Sequence, residues 1–199
     1  MTWWDHQTNS VWSQPWGTAL FGGLEGRSLT QIPSSVVPWG TWLGEHPNTT
    51  VLESEQPIDD VRYRPQTFSQ DFVIGVALLD DAQAFRYSVA SSEEVINDMV
   101  AGFPVGIFVN PATRGIHVYL REPAGQAKDE TVELPEVLTF SKAGLDQVVD
   151  AETGSTWDTV LGAATGGPLR GALLQQLPFQ SAWDWAWEFF FPQTTFYGE

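Results

Sequence analysis

The chain has 199 residues, 42% of them hydrophobic, with ten tryptophans, no cysteine and a formal net charge of −16. That charge argues against nucleic acid and anionic lipid as partners, and the missing cysteines exclude disulfides, thiolate metal sites and a cysteine nucleophile. The apolar content is enough for a substantial core, yet no run approaches the roughly 18 apolar residues of a membrane-spanning helix.

The N-terminus, Met1-Thr-Trp-Trp-Asp5, lacks the basic start and apolar stretch of a signal peptide. The motif Asp5-His-Gln-Thr-Asn-Ser-Val-Trp12 follows and recurs 145 positions later as Asp150-Ala-Glu-Thr-Gly-Ser-Thr-Trp157. Residues 5–50 lie on 150–195 without a gap, with 16 of 46 positions identical, against roughly three by chance. An aspartate followed by threonine and serine suits a turn closed by side-chain hydrogen bonds. The motif therefore predicts a strand end, a turn and a tryptophan delivered to the core. Next come Gly17, Ala19, Gly22, Leu24 and Gly26, matched by Gly162, Ala164, Gly167, Leu169 and Gly171. Their spacing fits no phosphate-binding loop, so they read as backbone positions of special geometry.

Leu29–Pro33 and Leu174–Pro178 are strand candidates closed by proline. A helix is predicted over 181–191, with a polar stripe of Ser181, Asp184 and Glu188 and apolar stripes that imply burial on most sides. Its counterpart in the first copy carries Pro38 and Gly40, which predict a shorter or broken helix. Trp12, Trp42, Trp157 and Trp187 recur in both copies and are expected in the core. Residues 1–52 are thus a partial repeat, 53–65 a proline-punctuated connector, and 66–199 a full unit packed with it in one globule.

Within that unit, Phe72–Leu79 and Ala84–Val89 read as a hairpin. Ser91-Ser-Glu-Glu94 reads as a capping box opening a helix to about Val100, stopped by Gly102. Val105–Val109 and Gly115–Leu120 form a second strand pair, a polar loop covers 123–131, and Val137–Phe140 is a further strand. The fold class is α+β, with a largely antiparallel sheet and a few short helices. The partial copy lacks strands that 132–149 give the full unit and so exposes a sheet edge. Packing on the full unit or in a homodimer would cover it.

The repeated motif, the glycine series, the tryptophan-rich segment and the Pro-x-Thr ending resemble the prokaryotic family catalogued as domain of unknown function 3179. The resemblance extends through Val73-Ile-Gly-Val76, Ala84-Phe-Arg-Tyr87 and Val95-Ile-Asn-Asp98. It implies one full unit over about 57–199, preceded by the C-terminal part of another. The family brings no established activity, and its members often look exported or lipid-anchored. Where they often carry Tyr-Cys-Pro-x-Cys, this chain has Val109-Asn-Pro-Ala-Thr113, so any thiol-dependent role is absent.

His6, His46 and His117 show no metal-ligand spacing, and His117, alternating with Ile116 and Val118, is expected to face solvent. Asp150, Glu152 and Ser155 fall short of a calcium-loop pattern, and neither Ser10 nor Ser155 sits in a nucleophile motif. No metal or cofactor is expected. Two functions from different classes remain. The first is a non-catalytic module that binds a small or carbohydrate-like ligand in an aromatic cleft between the repeats. Trp16, Trp39, Trp183 and Trp185 are its candidate residues because they do not recur, and Arg86, Tyr87, Asn97 and Asp98 because they match family positions. The second is a glycosidase-like hydrolase pairing Asp150 or Glu152 with Asp5 or Asp98 across a groove. Turn chemistry already accounts for the repeated aspartate, and the first function is preferred.

Overall fold

A computed structural model describes residues 2–35, 37–51, 53 and 72–199. The expected connector lies outside the described residues, apart from Glu53. The N-terminal copy contributes a three-stranded antiparallel sheet, β1 (Thr2–Asp5), β2 (Ser10–Ser13) and β3 (Ala19–Phe21), followed by helix α1 (Trp39–Glu45). The full unit opens with the hairpin β4 (Phe72–Leu78) and β5 (Asp81–Arg86), then α2 (Tyr87–Glu93). A meander of β6 (Val95–Val100), β7 (Phe103–Asn110) and β8 (Gly115–Ala124) follows. The second copy supplies β9 (Phe140–Gly144), β10 (Gln147–Asp150), β11 (Thr156–Asp158), β12 (Ala163–Gly166) and β13 (Leu173–Gln176). It closes with β14 (Gln180–Trp183), α3 (Asp184–Phe190) and β15 (Thr195–Phe196).

Eight strands form one sheet in the order β6-β7-β8-β13-β12-β11-β10-β9. The sheet curls until its two edge strands meet. Asn97 on β6 closes it: its side-chain amide donates to the Phe140 carbonyl at 2.9 Å and accepts from the Phe140 N–H at 2.8 Å. That pair imitates a ladder rung and removes an open edge. Arg121 on β8 reinforces the closure, donating to the carbonyls of Val105, Leu138 and Asp98. Its burial lowers its pKa, with Glu152 and Asp98 opposing.

Strand alternation divides β7 and β8 between two cores. Val105, Ile107, Val109, Ile116 and Val118 face α2 and the β4–β5 hairpin. Phe108 and Tyr119 face the barrel, where they join Leu138, Phe140, Val148 and Trp157. A four-stranded sheet, β14-β4-β5-β15, covers the other side of the hairpin core. Trp187 of α3 lies across it, 1% exposed, against Val73, Ala82 and Ala84. Gly75 makes this contact feasible, since a Cβ there would sit 2.4 Å from the indole.

The two ends are copies in structure as well. β1, β3 and α1 sit 145 positions before β10, the end of β12 and α3. The residues preceding the helices, Pro38 and Trp183, share φ,ψ of −62°,141° and −67°,143°. Trp42 Nε1 donates to Thr49 Oγ1 at 3.0 Å, and Trp187 Nε1 to Thr194 Oγ1 at 2.8 Å. Gly22 and Gly167 both have positive φ, 99° and 81°, and each passes too close to the aspartate turn for any Cβ.

Several expectations are corrected. α1 is as long as α3, seven residues, because Pro38 precedes the helix where an extended φ is wanted, and Gly40 lies within it in open space. The expected helix over 91–100 is a strand: α2 ends at Glu93, Glu94 turns left-handed at φ 62°, and the Val-Ile-rich run from 95 pairs with β7. Asn97 and Asp98 therefore sit on β6. The helix expected over 181–191 starts only at Asp184, because Gln180–Trp183 pair with β4. Nor is α3 buried on most sides: Trp185 and Phe189 are exposed. Leu29–Pro33 is no strand: β13, its counterpart, pairs with β8, and no such strand lies beside Leu29–Pro33 among the described residues. Only Phe140 of Val137–Phe140 is in a strand, and β8 runs on to Ala124. Trp42 is 36% exposed, with no strand of the described residues laid over it as β4 is laid over Trp187. His117 is buried rather than solvent-facing, at 1% exposure, because the barrel closes over that face of β8.

Candidate functional site

The aspartate turns are built alike. Asp150, 1% exposed, accepts from the Thr153 N–H at 2.6 Å and hydroxyl at 2.8 Å, and from the Trp157 indole N–H at 2.8 Å. Its carboxylate thus ties the turn to the barrel's central indole. Ser155 shares a hydrogen bond with Thr153 and accepts from the Leu169 N–H. In the first copy Asp5 accepts from the Gln7 N–H and the Thr8 hydroxyl, which hold its carboxyl below the usual carboxylate range. Ser10 accepts from the Leu24 N–H. Glu152 accepts from the Thr139 N–H at 2.8 Å. All three candidate catalytic carboxylates therefore hold local backbone. Asp98 accepts from Gln83 at 2.8 Å.

The middle-segment candidates are likewise occupied. Arg86 pairs with Glu199 at 3.1 Å and lies over the Phe196 ring. Tyr87 packs in the hairpin core, and Asn97 closes the barrel. These residues do not converge with the tryptophans. Trp39, Trp183 and Trp185 are all exposed, at 53%, 42% and 67%. Trp16 alone of the candidate set bridges the copies. Its indole N–H donates to the Phe190 carbonyl at 3.0 Å, and its ring meets Phe190 edge-on.

That bridge marks the rim of a cleft of about 550 Å³ between the repeats. The N-terminal copy provides Trp3, Gln14, Pro15, Gln31, Ile32 and Ser34. The full unit provides Phe179–Ala182 from β14 and its approach, and Ala186, Trp187, Phe190 and Phe191 from α3 and its end. Gln180 Nε2 donates to the Pro15 carbonyl at 2.7 Å, and Gln176 Nε2 to the Ser34 carbonyl and the Ser35 hydroxyl. The described lining holds aromatic rings, amides and hydroxyls, and no charged side chain. On a chain of net charge −16, this concave surface is uncharged.

A second, water-sized space of about 20 Å³ lies between β7 and the β9–β10 turn, beside Asn110, Asp146 and Thr159. Asn110 donates to Asp146 at 2.8 Å and accepts from the N–H groups of Ala112 and Thr113. His117 is buried nearby, with neither ring nitrogen partnered. Desolvation depresses its pKa to about 4, against opposing fields from Asp146 and Asp158. Among the described residues no three His, Asp or Glu side chains gather as a metal site would require.

A family model described as "Protein of unknown function (DUF3179)" matches residues 1–67 and 54–194. The chain belongs to the DUF3179 family. The two matches coincide with a partial and a full unit, as the repeat requires. No curated protein and no solved structure matches the chain. In DUF3179 terms, the residues standing where relatives were expected to carry cysteines are Asn110 and Thr113, in the β7–β8 turn. Here Asn110 organises that turn by hydrogen bonds alone.

Sequence reasoning missed the glutamines and serines of the cleft. Gln31 and Gln176 are identical in the repeat alignment, which was the one available signal. Trp3, which has Val148 at the matching position of the second copy, is not recognisable in the sequence as a cleft residue, since nothing local distinguishes it from Trp4.

Proposed function

We propose that the protein is a non-catalytic binding module that takes a neutral, carbohydrate-like ligand in the cleft between its N-terminal half-unit and its full unit. One observation carries this reading: the cleft's described lining is aromatic and amide-rich but uncharged. Indole and phenyl faces suit the apolar faces of sugar rings, and glutamine and serine side chains suit hydroxyl groups. Its volume, about 550 Å³, falls in the range of small-molecule sites. The hydrolase reading has no such support, since Asp150, Glu152 and Asp5 are engaged in their own turns and neighbouring backbone.

The test is a panel of neutral and uronic oligosaccharides screened by thermal shift and confirmed by calorimetry. A neutral sugar should raise the melting temperature, since a ligand specific to the folded state stabilises it. Trp3→Ala should weaken binding by about tenfold or more, and Trp185→Ala should leave it unchanged. A panel in which no neutral sugar binds, or in which Trp3→Ala has no effect, would overturn the reading.

A further inference from the structure

Helix α3 turns Ala186, Trp187 and Phe190 toward the cleft and the sheet beside it. The opposite arc carries Asp184, Trp185, Glu188 and Phe189. Helical spacing makes these four mutual neighbours, a carboxylate stripe beside an aromatic stripe. Trp185 and Phe189 stand 67% and 74% exposed. The first copy shows that the helix forms without them. Gly40 and Gly44 occupy the matching positions of α1, and a Cβ at either would meet nothing within 4 Å. Two adjacent large aromatic side chains that the fold can dispense with mark a contact surface.

The carboxylates define its partner. Asp184 and Glu188 are in no ion pair among the described residues; Asp184 accepts only the Trp185 N–H, at 2.7 Å. Glu188 lies in the last turn of α3, which carries no basic residue. There the helix dipole opposes a negative charge and favours a cation. The net charge of −16 sets a second copy of the chain against this face.

We propose that the outer face of α3 docks a basic segment of a partner protein, whose arginine or lysine side chains lie over Trp185 and Phe189 and reach Asp184 and Glu188. A guanidinium stacks on an indole face while its N–H groups meet a neighbouring carboxylate, so one arginine uses both stripes at once. Phe189 is steadied by its edge-on contact with Phe190, whose carbonyl accepts from Trp16. This face is on the far side of α3 from the cleft, so the inference does not rest on the sugar-binding reading.

The probe is a short synthetic peptide of alternating arginine and leucine, titrated into the whole protein by calorimetry. Its counterpart has every arginine replaced by citrulline, which keeps the shape and removes the charge. The arginine peptide should bind saturably and about tenfold tighter than the citrulline peptide. Trp185→Ala should weaken binding about tenfold at unchanged net charge, and Glu188→Gln about threefold. Glu130→Gln, the same charge change on an exposed residue elsewhere, should leave it unaltered. The counterpart of Trp185 is Gly40, so α3 tolerates the loss of the indole, and circular dichroism checks that. Absence of saturable binding, equal affinity for the citrulline peptide, indifference to Trp185→Ala, or equal losses from Glu130→Gln and Glu188→Gln overturns the proposal. So does Trp185-dependent homodimerisation by sedimentation, or Trp185-dependent adsorption to phosphatidylcholine vesicles, without uptake of the peptide. The face would then belong to a second copy or to a bilayer.

Discussion

Acidification should destabilise the protein through His117 before the bulk of its carboxylates respond. The imidazole is 1% exposed on the barrel face of β8, and neither nitrogen has a hydrogen-bond partner. Its folded-state pKa is about 4, against 6.5 for the free side chain. Above pH 6.5 the ring is neutral folded or unfolded and costs nothing differential. Between 6.5 and 4 the unfolded chain binds a proton that the folded chain refuses, so stability falls as pH falls. Below about 4 both forms are protonated and the loss levels off. At about 1.4 kcal/mol per pKa unit the full loss is about 3.4 kcal/mol. Some 2.5 kcal/mol of it, roughly, should appear between pH 7.5 and 4.5. Asp5 and Asp129, whose pKa values are lowered from 3.8, respond below this window. Urea unfolding followed by tryptophan fluorescence at both pH values measures the difference. His117→Leu should abolish most of the pH slope, whatever it does to stability at pH 7.5. A variant that keeps the wild-type slope, or an imidazole that titrates near 6.5 in the folded protein by NMR, would refute the reasoning.

Gly75→Ala places a methyl 2.4 Å from the Trp187 ring, and overpacking of this kind costs about 1–3 kcal/mol; denaturant melts should show it, with Trp187 fluorescence changed. Asp150→Asn forces an amide group onto one of three donors, two from Thr153 and one from the Trp157 indole. A loss of about 1–3 kcal/mol is expected for the unsatisfied buried group, and Asp5→Asn, in the more open turn, should cost less. Gly167→Ala collides with Ser155 at 2.6 Å whereas Gly26→Ala meets nothing within 4 Å. The first should lower the melting temperature clearly more than the second, although both have positive φ.

The repeat, the hairpin, the β7–β8 pair and the α+β class were legible because they depend on local chemistry. Aspartate turns, positive-φ glycines and alternating valines announce themselves within a few residues. What failed was decided by partners distant in the chain. Ser91-Ser-Glu-Glu94 is a good helix opening on paper, yet Val95–Val100 is drawn into a sheet by β7. Ser181–Trp183 carries helical spacing and is claimed by β4. His117 reads as solvent-facing because nothing in its neighbourhood foretells a sheet that curls shut. Trp42 and Trp187 have the same local sequence role and opposite burial, so the difference lies wholly in what is laid over them. The cleft was legible as a meeting of repeats but not in its residues, since Gln14, Gln180 and Ser181 gain meaning only when the two ends come together.

The wall formed by β7 and β8 belongs to both interiors at once, with successive residues facing opposite compartments. Neither compartment can loosen without exposing the reverse side of the same two ribbons, so the full unit should melt as a single block. Among the described residues the N-terminal copy has only the three-stranded sheet β1-β2-β3 and no such party wall. Its amides should exchange with solvent deuterium well ahead of those in the barrel, and heat should peel it away first.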